Sequence, residues 1–203
     1  MKLPQLLLFD LGGVLIENNT FSRLQALLPQ TIEGTELSIL KEKWLSSPVV
    51  RCFELGQIAP SEFARQFIEE WSLTLSEQDF ISEFLSWLKG YYPGAHWLIQ
   101  RLRQKYRVAC LSNSNVLHWE KFGQLDTDFD LAMSSHLLGA IKPDAAAFAM
   151  ALAHCQVTPD EVWFFDDVQP NVLAAAELGI KAFHTDGFAD VQTTLLANGI
   201  RLT

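Results

Sequence analysis

No apolar run in the chain approaches the length of a bilayer crossing. The first, Leu6 to Phe9, is also too short for the core of a secretion signal. Cysteine is scarce: Cys52, Cys110 and Cys155 are an odd number without framework spacing, which argues against a disulfide scaffold and fits a reduced, cytoplasmic protein. Cys110 lies in an apolar run and reads as a small core residue rather than a nucleophile. Positive charge is thin as well, with 15 Lys and Arg against 24 Asp and Glu and a net charge of −9. No Lys/Arg cluster is present, so neither nucleic acid nor an anionic membrane is an expected partner. A phosphorylated ligand would need a local positive site, from a metal or a lone lysine. Internal repeats and low-complexity stretches are absent too.

What is present suits one globular core with an inserted subdomain in 203 residues. From Gly94 onward helix and strand signals alternate. Ala95, Leu98, Ile99 and Leu102 mark one helix face, and Val108–Leu111 reads as a buried strand. A short strand is expected at 129–133, a helix at 144–154, a strand at 161–165, and a helix that opens at Pro170 and stops at Gly179. A strand at 180–184 and a helix at 191–197 complete the series. Strands separated by helices of this length predict an α/β fold, a Rossmann-like parallel sheet with right-handed crossovers. Between about Glu17 and Tyr92 only helical periodicity is found, as in Phe63, Phe67, Ile68 and Trp71, then Phe80, Phe84 and Leu88. Pro60 and Ser76 fit helix starts there. The expected division is a core of residues 1–16 and 93–203, with a helical cap, 17–92, inserted after the first strand.

Four strand ends carry polar groups. Asp10 closes Leu6-Leu7-Leu8-Phe9 and is followed by Gly12-Gly13, which let the backbone turn tightly around it. Ligands of open α/β sheets bind beyond the carboxyl ends of the strands, so a carboxylate there is placed for chemistry. Ser112 and Asn113 follow the next strand and offer neutral donors for an anion. Lys142 precedes Pro143, which favours an extended backbone, and Asp144 can cap the helix beyond. Finally, Asp166 and Asp167 close a strand side by side, a costly pairing unless a cation neutralises them. Oxygen ligands from Asp10, Asp166 and Asp167 make the hard site that Mg²⁺ prefers.

The order Asp10, Ser112, Lys142, Asp166-Asp167 resembles the haloacid-dehalogenase-like hydrolase superfamily, over the whole chain. Phe-Asp-Leu-Gly-Gly-Val-Leu, Leu-Ser-Asn-Ser-Asn, Phe-Phe-Asp-Asp and the segment Phe53–Ile58 look most like the bacterial branch that includes α-glucose-1-phosphate phosphatase. The resemblance implies a Mg²⁺-dependent phosphatase acting on a small-molecule phosphoester, here a sugar phosphate. Asp10 would be the nucleophile and form an aspartyl-phosphate. The metal would sit on Asp10, the Gly12 carbonyl, Asp166 and Asp167. Lys142, Ser112 and the backbone at Asn113 would hold the transferring oxygens. Asn171 would support Asp167. A monomer or a weak dimer is compatible with the sequence.

Gly12 departs from the pattern. Most phosphatases of the family carry there a second aspartate that protonates the leaving oxygen and then activates water, help worth roughly 10² to 10⁴ in rate. Either the substrate needs little protonation, as an anomeric sugar phosphate or an acyl phosphate would, or a cap residue or positioned water takes over. The first is the expectation. Three other readings compete. A binding protein of the same fold would have lost turnover through Gly12. A haloacid dehalogenase needs no metal and so no Asp166-Asp167 pair. A signalling receiver places its acidic pair early, whereas here it comes last. His96, His118, His154 and His184 read as surface or capping residues, and His136 lies near the Lys142 loop. Cap loops around Arg51–Gln57 are expected to meet the substrate.

Overall fold

A computed structural model of the chain describes residues 3–29 and 36–201. The chain opens with β1 (Leu6–Phe9) and β2 (Ile16–Asn18), then runs through helices α1 (Thr20–Leu27), α2 (Leu37–Ser46), α3 (Pro48–Glu54), α4 (Pro60–Glu70) and α5 (Glu77–Ser86). It returns through β3 (Leu88–Tyr91) into α6 (Ala95–Leu102), β4 (Arg107–Ser112), α7 (Val116–Phe122) and α8 (Leu125–Asp128). Next come β5 (Leu131–Ser134), α9 (Ser135–Leu138), α10 (Ala145–Cys155), β6 (Val162–Asp166), α11 (Gln169–Glu177), β7 (Lys181–His184) and α12 (Phe188–Ala197).

Strands β5-β4-β1-β6-β7 form one sheet in that order, parallel throughout. Its central strand is apolar without interruption because helices cover both faces. Alternate residues divide between the two sides. Leu7 and Phe9 join Val108, Trp163 and Phe165 under α6 and α12, while Leu6 and Leu8 join Ala109 and Phe164 against α10. In register, Leu6 lies beside Arg107 on one side and Val162 on the other, so β1, β4 and β6 end at one level.

Helices α1 to α5 bury their apolar faces in a separate cluster that includes Leu24, Leu40, Phe53, Phe63, Phe67, Phe80, Phe84 and Trp87. Rings touch throughout it: Phe53 and Phe63 stack with centroids 4.1 Å apart, and Phe67 packs on Phe80 at 5.0 Å. Ser76 accepts from the Asp79 N–H at 3.1 Å, the cap its position predicts. Ser47 does the same for α3, accepting from Val50 N at 3.2 Å.

Two expectations fail in this stretch. β2 and β3 pair as an antiparallel ribbon where only helix was expected. Leu88, counted on a helical face with Phe80 and Phe84, instead begins β3. Strands of three and four residues are too short to show a period of two. Elsewhere the short helices α7, α8 and α9 stand where only a strand was expected, and boundaries shift by one to three residues: β5 starts at Leu131, α10 at Ala145 and α12 at Phe188.

Phe67 is fully buried between Trp44, Phe63, Trp71, Phe80 and Trp87. Phe67→Ala should lower stability by about 3–5 kcal/mol in urea denaturation, the cost of a large cavity in a ring-packed core. A loss under about 1 kcal/mol would mean that the cluster closes over the gap.

Candidate active site

Asp10 is the first residue past β1. Its N–H donates to Phe165 O at 2.9 Å, which carries the ladder one step beyond the strand and fixes the carboxylate at the carboxyl end of the sheet. The chain then turns on Leu11, whose carbonyl accepts from Val14, Leu15 and Ile16. Gly13 sits at φ 78°, and a Cβ there would lie 2.5 Å from Asp167 Oδ2, so only glycine lets the two segments approach so closely. At Gly12 a Cβ would meet Asn18 Nδ2 at 3.2 Å. Asn18, from the end of β2, thus fills the room into which a longer residue at position 12 would extend. Its Oδ1 is held by Thr20 N at 2.9 Å.

Asp166 ends β6 and is fully buried. Its Oδ1 accepts from Val168 N at 2.8 Å, and Asn171 Nδ2 is shared between Oδ1 and Oδ2 at 3.0 and 3.1 Å. Asn171 therefore supports Asp166, not Asp167 as expected. The reason is helical: α11 begins directly after the aspartates, so its first turn faces back on Asp166.

Lys142 comes to the same point from the loop after α9. Its ammonium donates to Asp10 Oδ1 at 2.9 Å and Asp166 Oδ2 at 2.6 Å, with the side chain 1% exposed. The Asn113 side chain grips the Lys142 backbone, accepting from its N–H at 2.9 Å and donating to its carbonyl at 2.8 Å. The Asn113 amide is thereby committed to placing the lysine. Ser112 ends β4 and lines the cleft. Asp144, expected to cap α10, makes no side-chain cap; it pairs with Arg51 of α3 at 2.5 Å.

One oxygen each from Asp10, Asp166 and Asp167 lie within 4.8 Å of one another. Burial raises Asp10 to about 6; the Asp166 charge adds to this and Lys142 opposes it. Burial, then Asp10 and Asp166, push Asp167 up to about 7. Burial also works against the Lys142 charge, but the two carboxylates outweigh it and hold the ammonium above its ordinary range. The buried site thus carries more carboxylate than its one ammonium can match.

The cleft above this floor has a polar side of Asp10, Gly12, Ser112, Lys142 and Asp167, and an apolar wall of Phe21, Trp44, Leu45, Leu88, Trp119 and Phe122. Glu54, from α3, also lines it. The Arg51–Gln57 segment expected near the substrate sends Glu54 there and Arg51 to an adjoining cavity beside Lys142 and Pro143, whereas Gly56 packs against the His136 carbonyl. His118 is buried rather than at the surface: its Nε2 meets Phe84 O at 2.9 Å and its ring stacks on Phe84, joining α7 to α5. Asn18 was missed as a site residue because nothing local marks it, and Glu54, inside the segment expected near the substrate, was not singled out from its neighbours. Only the folded chain brings them to Asp10.

A family model described as a haloacid dehalogenase-like hydrolase matches residues 4–179. Sesquiterpene phosphatase astK of Aspergillus oryzae is 28% identical over 189 residues, 90% of each chain. Acyl-CoA dehydrogenase family member 10 of mouse is 29% identical over 188 residues; these are 88% of this chain but only 18% of the mouse protein. The HAD family enzyme bt-2542 of Bacteroides thetaiotaomicron, solved with magnesium and inorganic phosphate, superposes with a TM-score of 0.71 at 27% identity, covering 90% of this chain and 94% of that one. With the family model spanning most of its length and three strand ends and the Lys142 loop meeting in one cleft, the chain belongs to the haloacid dehalogenase-like hydrolases.

Proposed function

We propose that the protein is a Mg²⁺-dependent phosphoric monoester hydrolase of the cytoplasm. Its substrate is a small phosphorylated metabolite of the sugar phosphate class. The observation that carries this reading is the Lys142 ammonium held between Asp10 and Asp166, with Asp167 in the same oxygen cluster. The phosphatase relative and the magnesium- and phosphate-bound Bacteroides enzyme support it.

The donor set fits a hard divalent cation. It consists of oxygens, they are close enough to share one ion, and their surplus negative charge needs one. Asp10, Asp166, Asp167 and the Gly12 carbonyl would hold it. When bound, the ion supplies a Lewis acid that offsets repulsion between a carboxylate nucleophile and a phosphate. Asp10 attacks phosphorus in line, the ester P–O bond breaks, and the aspartyl-phosphate is then hydrolysed by water. Lys142 fixes Asp10 through Oδ1 and leaves the other oxygen to attack. The Ser112 hydroxyl and the backbone at Asn113 donate to the transferring oxygens. Residues 17–92 act as a cap over a core of 1–16 and 93–203, and the protein works as a monomer or weak dimer.

The apolar cleft wall favours a second substrate class, a phosphomonoester with a hydrophobic alcohol. Phosphate release would count against two rivals, a binding protein of the same fold and a dehalogenase that attacks carbon.

Phosphate release from sugar, acyl, alkyl and prenyl phosphates should require Mg²⁺, stop with EDTA, and disappear in Asp10→Asn. Release that survives this substitution would remove Asp10 as nucleophile. No release by the wild type from any substrate would favour the binding protein. A second prediction follows from the raised carboxyls. Because Asp10 and Asp167 sit near 6 and 7 against an ordinary 3.8, the metal-free fold holds protons that the unfolded chain releases. Their contribution to stability therefore falls as pH rises from about 4 to about 7. Mg²⁺ must displace those protons, so it should raise the melting temperature more at about pH 7.5 than at about pH 5. Equal shifts at both would place the ion elsewhere.

A further inference from the structure

We propose that the Glu54 carboxyl is the general acid and base of the reaction, serving from α3 in place of the carboxylate that position 12 lacks. This rests on the phosphatase reading above.

Glu54 shares the cleft with Asp10 and Lys142. Its backbone is fastened to the core on both sides. Ser135 Oγ donates to the Glu54 carbonyl at 2.6 Å. Arg51, one helical turn earlier, pairs with Asp144 beside the Lys142 loop at 2.5 Å. Two residues later Gly56, at φ 70°, lies so close to the His136 carbonyl that a Cβ would stand 2.7 Å from it. These contacts set the end of α3 over the strand ends. The Glu54 carboxyl itself has no hydrogen bond or ion pair among the described residues, although its neighbours Arg51 and Lys142 are both engaged elsewhere. A carboxyl kept unpaired in a cleft beside a nucleophile is available to exchange a proton. Burial first, then the Asp10 charge, raise it to about 8, against the pull of Lys142 and Arg51, so it enters the reaction protonated. The titratable side chains around it are Asp10, Lys142, Arg51 with its partner Asp144, and His136 of α9.

The proton balance closes. As Asp10 attacks and the P–O bond to the alcohol breaks, Glu54 gives its proton to the departing oxygen. The resulting Glu54 carboxylate then takes a proton from the water that attacks the aspartyl-phosphate. Inorganic phosphate leaves, the Asp10 carboxylate returns, and Glu54 is again an acid. With this acid present the substrate needs no unusually good leaving group.

The test compares an alkyl phosphate with p-nitrophenyl phosphate, whose phenolate leaves unaided, in wild type and Glu54→Gln. The variant should lower kcat/KM for the alkyl ester by roughly 10² or more and leave kcat/KM for the nitrophenyl ester within a few-fold. It should also show a nitrophenolate burst, because the phosphorylated Asp10 waits for unactivated water. An equal loss on both esters, or no loss on either, overturns the proposal. A readout independent of turnover is ¹³C NMR titration of glutamate side chains in the metal-free protein, with Glu54 assigned by its absence in Glu54→Gln. A carboxyl titrating near 8 is expected. One titrating near the ordinary value of about 4.3 overturns the proposal even if no substrate is found. Loss of all turnover in Asp10→Asn, alongside an ordinary Glu54 titration, would sink this inference and spare the phosphatase.

Discussion

The site depends on one buried ammonium. Lys142 binds the carboxylates at the ends of β1 and β6 at once, and neither has another cation beside it among the described residues. Removing one partner of such a buried cluster strands the others, at a cost of about 3–5 kcal/mol. The rest of the site is arranged to keep that nitrogen in place. Asn113 clamps the lysine's backbone from the end of β4, and Asn171 and Val168 saturate Asp166 from α11. Three strand ends, the loop after α9 and one helix are therefore tied together around a single side chain, which makes the floor of the cleft rigid.

The wall of the cleft is built on different terms. Phe21, Trp44, Leu45 and Glu54 come from helices whose stability lies in their own aromatic cluster, and the chain passes between the two regions through the β2–β3 ribbon. The lower half of the cleft is polar and fixed by ion pairs. The upper half is apolar and reaches the core through local contacts that include the Arg51–Asp144 pair, Ser135 on the Glu54 carbonyl, Gly56 on His136 and His118 on Phe84. Chemistry can be held constant below while the wall is altered.

Much of this is legible in the sequence, for physical reasons. The sheet declares itself because its strands are covered on both faces, so Leu6–Phe9 and Val162–Phe165 are unbroken apolar runs ending in carboxylates. The structure brings Asp10, Ser112, Asp166 and Asp167 to one place because parallel strands in register end together, and Lys142 joins them from the loop after α9, not from the strand end expected. What escapes the sequence depends on distance. Asn18 against Gly12, Asn171 on Asp166 rather than Asp167, Asp144 on Arg51 and His118 beneath Phe84 are choices of partner made in three dimensions. The β2–β3 ribbon escapes for want of length. The segment around Glu54 is legible but the residue is not, because a glutamate near the end of a short helix looks like any solvated charge until the helix docks.

The position of β1 has a consequence for how the chain assembles. It precedes both its neighbours in the chain and is the central strand of the sheet, with β4 and β6 far along the chain. Between them the ribosome delivers the helices α1–α5, which find their partners locally and quickly. Leu6-Leu7-Leu8-Phe9 must wait, with both edges open, until Arg107 and then Val162 have emerged. During synthesis the strand that leads into Asp10 is thus open to wrong pairing and to chaperones.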